Sequence, residues 1–195
     1  IAALGQENPP VDEAEVVVDL AGRTMLPGLI DSHAHGTTTG FSMNSINLML
    51  CDDLKDVIGA LEEGCRKAEP GEWVFATGLN PMALREGRPP TRWELDEISG
   101  DHPVMIVFLT FHATVFNTKG MELVNVPSDM PGVEKNEDGV PLGIYTDDEC
   151  SFLGMSKALG FLRDETWEKF IRDCVNFAIS KGVTTLHSLD GRMVE

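Results

Sequence analysis

Apolar residues along this chain follow two rhythms. Leu54, Val57, Ile58, Leu61, Cys65 and Ala68 recur at helical spacing, with Asp52 or Asp53 placed to cap the run and Pro70 and Gly71 to stop it. Trp167, Phe170, Ile171, Cys174, Val175 and Ala178 form a second such face, capped by Asp164 and closed by Gly182. Shorter apolar runs at 73–78, 104–109, 140–145 and 183–189 predict strands. Thr91 and Glu94 make a capping box for a short helix reaching Ile98. Residues 15–19 predict a strand, 21–23 a turn, 36–40 a flexible polar loop, and 127–139 a loop rich in Pro, Gly and acids. The segment 112–126 predicts a strand turning into a short helix, and 147–190 two helices and a strand. Strands alternating with helices in this way predict an α/β fold.

The run from Met25 to Ile30, broken only by Pro27 and Gly28, reads as a buried strand leading into His33, Ala34 and His35. Residues two apart on a strand share a face, so both imidazoles project together from the strand's end. Two such rings can hold one divalent ion. Asp31 shares that face, where its carboxylate can orient an imidazole. The alternative for so short a motif is a pair of surface histidines after a core strand.

Composition narrows the setting. Hydrophobic residues make up 42% of the 195 positions, enough for a core at this length. The longest apolar run falls well short of the ~20 residues that a membrane helix needs, and no signal-peptide pattern opens the chain. Cys51, Cys65, Cys150 and Cys174 show no paired spacing, which predicts reduced thiols and a cytoplasmic protein. A net charge of −17 argues against nucleic acid, whose phosphates require a basic surface, and against anionic membranes. The charge is read first as a solvated acidic surface and second as a field that gathers divalent cations.

The residues around the histidine pair carry a family resemblance. Asp19 to Arg23, followed by Pro27 to His35, resembles the opening strand of the amidohydrolase superfamily. Later segments resemble its YtcJ-like branch, amidohydrolase family 3. These are Gly71 to Asn80 with its Trp73; Leu95 to Ile98 with Pro103 and Val104; His112, Asn117 and Lys119; and Asp138 to Ile144. Their order and spacing cover most of residues 16–190. Three departures fall near the expected pocket. Thr110 and Phe111 stand where the family commonly has Asp-Gly, and Leu79 and Asn80 replace a frequent Trp-Asp pair. Asp147, Asp148 and Glu149 stand where an acidic residue, usually Glu, follows a strand.

The resemblance implies a fold: a partial (β/α)8 barrel of the metal-dependent hydrolases, with a remnant of the N-terminal β-sandwich and an inserted α/β subdomain. Residues 1–26 are the expected sandwich remnant, 27–70 the first barrel strand and helix, 71–146 the insertion, and 147–195 the return to the barrel. A complete barrel needs about 250 residues, so 195 residues that also carry an insertion read as a piece of a larger enzyme. His33 and His35 are implied as the first metal ligands, with zinc the expected divalent ion. The family's further ligand histidines and its proton-moving Asp come from later strands, so the piece alone is expected to be inactive, and no catalytic residue is assigned within it.

Five further residues are candidates for the site. Asp31 and Asp147 are candidate metal-binding or orienting carboxylates, with helix capping the plainer role for Asp147. His112, His187 and Asp190 are candidate substrate-facing groups. His112 follows the 104–109 strand, and His187 and Asp190 lie near the end of a barrel strand, the face that carries chemistry. Packing or capping is the alternative for each. The expected reaction is hydrolysis of a C–N bond in an amide or formamide-type small molecule by metal-activated water. The alternatives are a non-catalytic binding or assembly module, including a homo-oligomer, and a deaminase of cyclic substrates in the same superfamily.

Overall fold

The computed structural model describes residue 16 and residues 18–190. The predicted strand at 15–19 and the sandwich remnant at 1–26 therefore lie in part outside the described residues. Residues 18–20 join no sheet, and the turn that follows closes through a hydrogen bond from Arg23 N to Leu20 O of 2.9 Å.

Eight strands and six α-helices follow in chain order among the described residues: β1 (Leu29–Ala34), α1 (Gly36–Met43), β2 (Ile46–Asn47), α2 (Leu54–Lys67), β3 (Val74–Leu79), α3 (Arg92–Ser99), β4 (Val104–Phe108), β5 (Thr114–Phe116), α4 (Thr118–Val124), β6 (Val133–Lys135), β7 (Pro141–Tyr145), α5 (Asp148–Leu159), α6 (Asp164–Ser180) and β8 (Val183–Ser188). They build two sheets. β1 and β8 form a parallel pair, while the other six strands form a mixed sheet in the order β2-β3-β4-β5-β7-β6. That sheet is parallel from β2 to β4 and antiparallel beyond.

Strand periodicity explains how the six-stranded sheet buries both faces. Val104, Ile106, Val115 and Ile144 point to one side and pack with Val57 and Leu61 of α2 and Leu95 of α3. Their chain neighbours Met105, Val107, Phe116 and Tyr145 point to the other, against Met155 and Leu159 of α5. Phe41 of α1 and Phe170 of α6 join this second core. The helices beside the β1–β8 pair are thereby fixed to the larger sheet.

Local capping follows the sequence closely. Asp53 caps α2 by accepting from Asp56 N at 3.0 Å, and Thr91 N donates to Glu94 Oε2 at 2.8 Å in the predicted box. Asp164 is the first residue of α6 rather than its cap, which is Arg163.

Three expectations are corrected. Residues 36–40 are not a loop but the first part of α1, whose opening amides are bonded by side chains at the far end of the chain. Helix α2, expected beside the first barrel strand, packs on the six-stranded sheet, which begins at β2, ahead of residue 71. β1, read as a buried strand, is open to solvent: Leu29 is 56% and Ile30 66% exposed, because only β8 pairs with it among the described residues. All four cysteines are free. No described helix is long and apolar enough to cross a membrane.

Candidate active site

The histidine pair stands where β1 gives way to α1. β1 runs parallel to β8, with Asp31 opposite Leu186 and Ala34 opposite Ser188. His33 lies near the strand's end, and His35 occupies the cap position of α1. Their rings project together as the spacing predicts, with centroids 5.3 Å apart and planes at 69°. With metal–nitrogen distances of about 2.0–2.1 Å, two rings on one tetrahedral ion have centroids roughly 5 Å apart. The centroid spacing is therefore compatible with two positions on a shared ion. Among the described residues no third His, Cys, Asp or Glu joins them. Asp31 meets the backbone instead of an imidazole: its Oδ1 accepts from His33 N at 3.1 Å.

His35 is held in place through α1. Gly36 N donates to Ser188 Oγ at 2.9 Å and Thr37 N to Asp190 Oδ2 at 3.0 Å, while Ser188 Oγ itself donates to Asp190. These bonds satisfy amides that every helix start leaves open. Burial pushes the Asp190 carboxyl up, but hydrogen bonds from Ser188, Thr37 and Thr38 outweigh it and hold the group below 3.8. The other oxygen, Oδ1, is buried without a partner among the described residues. The far end of α1 is tied as well: Asn44 Nδ2 donates to Asp173 Oδ2 of α6 at 3.0 Å. Between the ends, Gly40 permits close approach, since a Cβ there would lie 2.2 Å from Phe170 O.

A cavity of about 1030 Å³ opens beside the pair. Its lining includes His35, Thr38, Ser42, Met43, Leu189 and Asp190 from α1 and the end of β8, and Met49, Thr77, Thr110, Phe111, His112 and Phe152 from the larger sheet, its loops and α5. Gly78, at φ +86 in β3, leaves room for Met49, whose Cγ would lie 2.5 Å from a Cβ there.

His112 comes from the turn between β4 and β5. Phe111, at φ 62, holds a left-handed conformation that costs a bulky residue energy, and it stands where the resemblance expects Gly. His112 Nδ1 lies 2.7 Å from Asp148 Oδ1, and the ring meets Phe152 edge-on at 6.3 Å.

The structure thus gathers three of the seven sequence candidates, His35, His112 and Asp190, around one cavity, with His33 against His35. Asp31, Asp147 and His187 do not line it. Asp147 caps α5 by accepting from Glu149 N at 2.9 Å, and His187 is an exposed residue of β8. Sequence reasoning missed Ser188 and the pairing of Asp148 with His112. A carboxylate at 148 was legible, but its partner 36 positions earlier was not.

Comparison with known proteins gives a consistent result. The sequence profile of the amidohydrolase family matches residues 16–193. An N-substituted formamide deformylase of Arthrobacter pascens is 30% identical over 144 residues, 70% of this chain and 27% of that protein. The putative amidohydrolase YtcJ of Bacillus subtilis is 24% identical over 180 residues, 89% of this chain and 33% of that protein. The crystal structure of an uncharacterized metal-dependent hydrolase from Pyrococcus horikoshii superposes on 82% of this chain and 30% of its own, with TM-score 0.65 and 26% identity. The chain spans about a third or less of the length of the proteins it matches.

Proposed function

This chain belongs to the amidohydrolase family, and on that premise we propose that it forms the part of a metal-dependent hydrolase that supplies two metal ligands and one wall of the substrate cavity. In this reading β1 and β8 are neighbouring strands of a (β/α)8 barrel, α1 and α6 are its helices, and the six-stranded layer is inserted between them. The reaction is hydrolysis of a C–N bond in an amide or formamide-type small molecule, in a cytoplasm that keeps the four cysteines reduced.

The observation that carries the proposal is the pair His33 and His35, 5.3 Å apart by centroid, with His35 lining the cavity. The similarity to a formamide deformylase supports the bond class. These two residues would hold the ion, proposed as zinc, together with ligands from outside the described residues. When bound, such an ion polarises a carbonyl and supplies a water that is nucleophilic near neutral pH. Ser188 and Asp190 fix the first turn of α1, so the His35 backbone is positioned before any ion arrives. His112 and Phe152 bound the space in which the substrate sits.

Metal analysis and amide hydrolysis by the full-length protein test this. The purified protein is expected to carry a divalent ion, and His33→Ala to lose both the ion and the activity. Unchanged metal content and rate in that variant overturn the proposal. The 195-residue chain by itself is expected to be inactive. Hydrolysis by it that disappears with His33→Ala overturns that part alone.

A second reading, self-association, is favoured by one observation. Leu26, Leu29 and Ile30 are 74%, 56% and 66% exposed, and Phe177 and Ile179 of α6 are exposed too. Light scattering on the isolated chain separates the two readings: a monomer removes assembly through these exposed residues.

A further inference from the structure

One polar group on the cavity wall has no part in the metal pair. His112 stands on the inserted layer with its Nδ1 2.7 Å from Asp148 Oδ1, and no other described residue bonds the ring. An ionised carboxylate only accepts, so the Nδ1 beside it carries the proton. In the neutral ring Nε2 is then left as an acceptor. The large side chains that line the same cavity are apolar: Met43, Met49, Phe111, Phe152 and Leu189. Asn47, Thr77 and Ser156 add smaller polar groups to the lining, but His112 is the acceptor that a carboxylate orients, and among these apolar side chains it favours a ligand that offers an N–H and carries apolar bulk.

We propose that His112, oriented by Asp148, accepts the N–H of a secondary amide whose bulky apolar N-substituent lies against Phe111, Phe152 and Met49. The inserted layer then sets substrate choice, while His33 and His35 serve the reacting carbonyl. The choice of an amide rests on the hydrolase reading above. The acceptor and the apolar wall rest on the cavity itself. Losing one neutral hydrogen bond weakens binding by about fivefold to tenfold, and burying several ring methylenes strengthens it by at least about tenfold.

Three probes separate these contributions in the full-length protein. N-cyclohexylformamide has both features, N-methylformamide lacks the bulk, and N-cyclohexyl-N-methylformamide lacks the N–H. Calorimetric titration is expected to rank the first at least about tenfold tighter than the second and about fivefold tighter than the third. Asp148→Asn, a change on an exposed side chain, is expected to abolish the preference for the N–H while keeping that for the ring. The ¹⁵N shifts of His112 are expected to report a changed tautomer in the same variant. Phe152→Ala is expected to do the reverse, reducing only the ring preference. If Asp148→Asn fails to fold, His112→Phe reads the same acceptor, and a steric objection to the extra methyl would persist in it.

Equal binding of the secondary and tertiary amides overturns the proposal. So does an N–H preference that survives both Asp148→Asn and His112→Phe. The two readings fail separately. Binding with these preferences but no hydrolysis of any amide supports the His112 assignment and overturns only the reaction. Hydrolysis of all three probes with equal kcat/KM supports the reaction and overturns the assignment.

Discussion

Asp190 Oδ2 accepts a hydrogen bond from Thr37 N at 3.0 Å across 153 positions of sequence. Together with Gly36 N on Ser188 Oγ, it caps α1 from the end of β8 rather than from the residue before the helix. His35, which occupies the cap position, makes no side-chain cap bond. Its ring is thereby left to face the cavity. A residue that looked substrate-facing in the sequence thus acts on the helix that carries a candidate ligand.

Removing that cap tests the relationship. Asp190→Ala is expected to cost about 1 kcal/mol at neutral pH, the usual range for a lost cap being about 0.5–2 kcal/mol. The folded-state carboxyl is held below 3.8, so its stabilisation is present in full above that value. It fades as pH falls through the lower folded value. Urea unfolding of the two proteins should therefore differ at pH 7 and converge in acid. A difference that grows as pH falls contradicts the cap.

Gly40 sets the distance between α1 and α6. A methyl there would sit 2.2 Å from Phe170 O, which is backbone and has no rotamer with which to yield. Gly40→Ala is expected to destabilise by about 1–3 kcal/mol despite its better helix propensity. Thermal unfolding measures this. An unchanged or raised Tm would show that the two helices separate without penalty.

The sequence was most legible where structure is local or periodic. Asp53, Thr91 and Glu94 capped as their spacing indicates, and the apolar run 104–109 was legible as a strand, although only the structure shows that Val104 and Ile106 take one face and Met105 and Val107 the other. Helix α1 was not legible. Gly36, Thr37, Thr38, Thr39 and Gly40 are poor helix formers, and what secures them is Ser188 and Asp190, more than 150 positions away. The amphipathic face of α2 was plain, yet its pattern does not say which sheet it covers. His33 and His35 could be paired from their spacing alone, whereas the contact of His112 with Asp148 depends on how β4, β5 and α5 pack.

Glu94 provides a second test by pH. Hydrogen bonds from Arg88, at 2.9 and 2.8 Å, with those from Thr91, outweigh burial and hold its carboxyl at about 2, against 4.5 for a free one. The group is partly exposed, so solvent screening limits its worth, and Glu94→Gln is expected to cost about 1 kcal/mol at pH 7. The folded value is depressed, so this contribution is complete above 4.5 and is lost as pH falls towards 2. Chemical denaturation at pH 7 and pH 3 should show the gap between parent and variant narrowing. A constant gap would assign it to packing instead of charge.

Asn117 joins the start of β4 to α4, at the far end of the β4–β5 hairpin from the turn that carries His112. Its Oδ1 accepts from Val104 N at 2.9 Å and from Gly120 N at 2.8 Å, and its Nδ2 donates to Ser99 Oγ and His102 O, both at 2.8 Å. The side chain is buried, so Asn117→Ala leaves these partners without water to replace it. Each orphaned group costs about 1–3 kcal/mol, and partial relaxation brings the expected total to about 2–4 kcal/mol. Asn117→Asp keeps the acceptor at Oδ1 but replaces the donor with a charged oxygen facing His102 O. It is expected to be at least as damaging, although it can still cap α4. Equilibrium denaturation distinguishes the roles. If Asn117→Asp is nearly as stable as the parent, the bonds accepted at Oδ1 from Val104 N and Gly120 N are the whole contribution of this residue. If both variants lose several kcal/mol, the donors at Nδ2 matter as much as the cap, and β4 is held to the β5–α4 segment by side-chain bonding as well as by strand pairing.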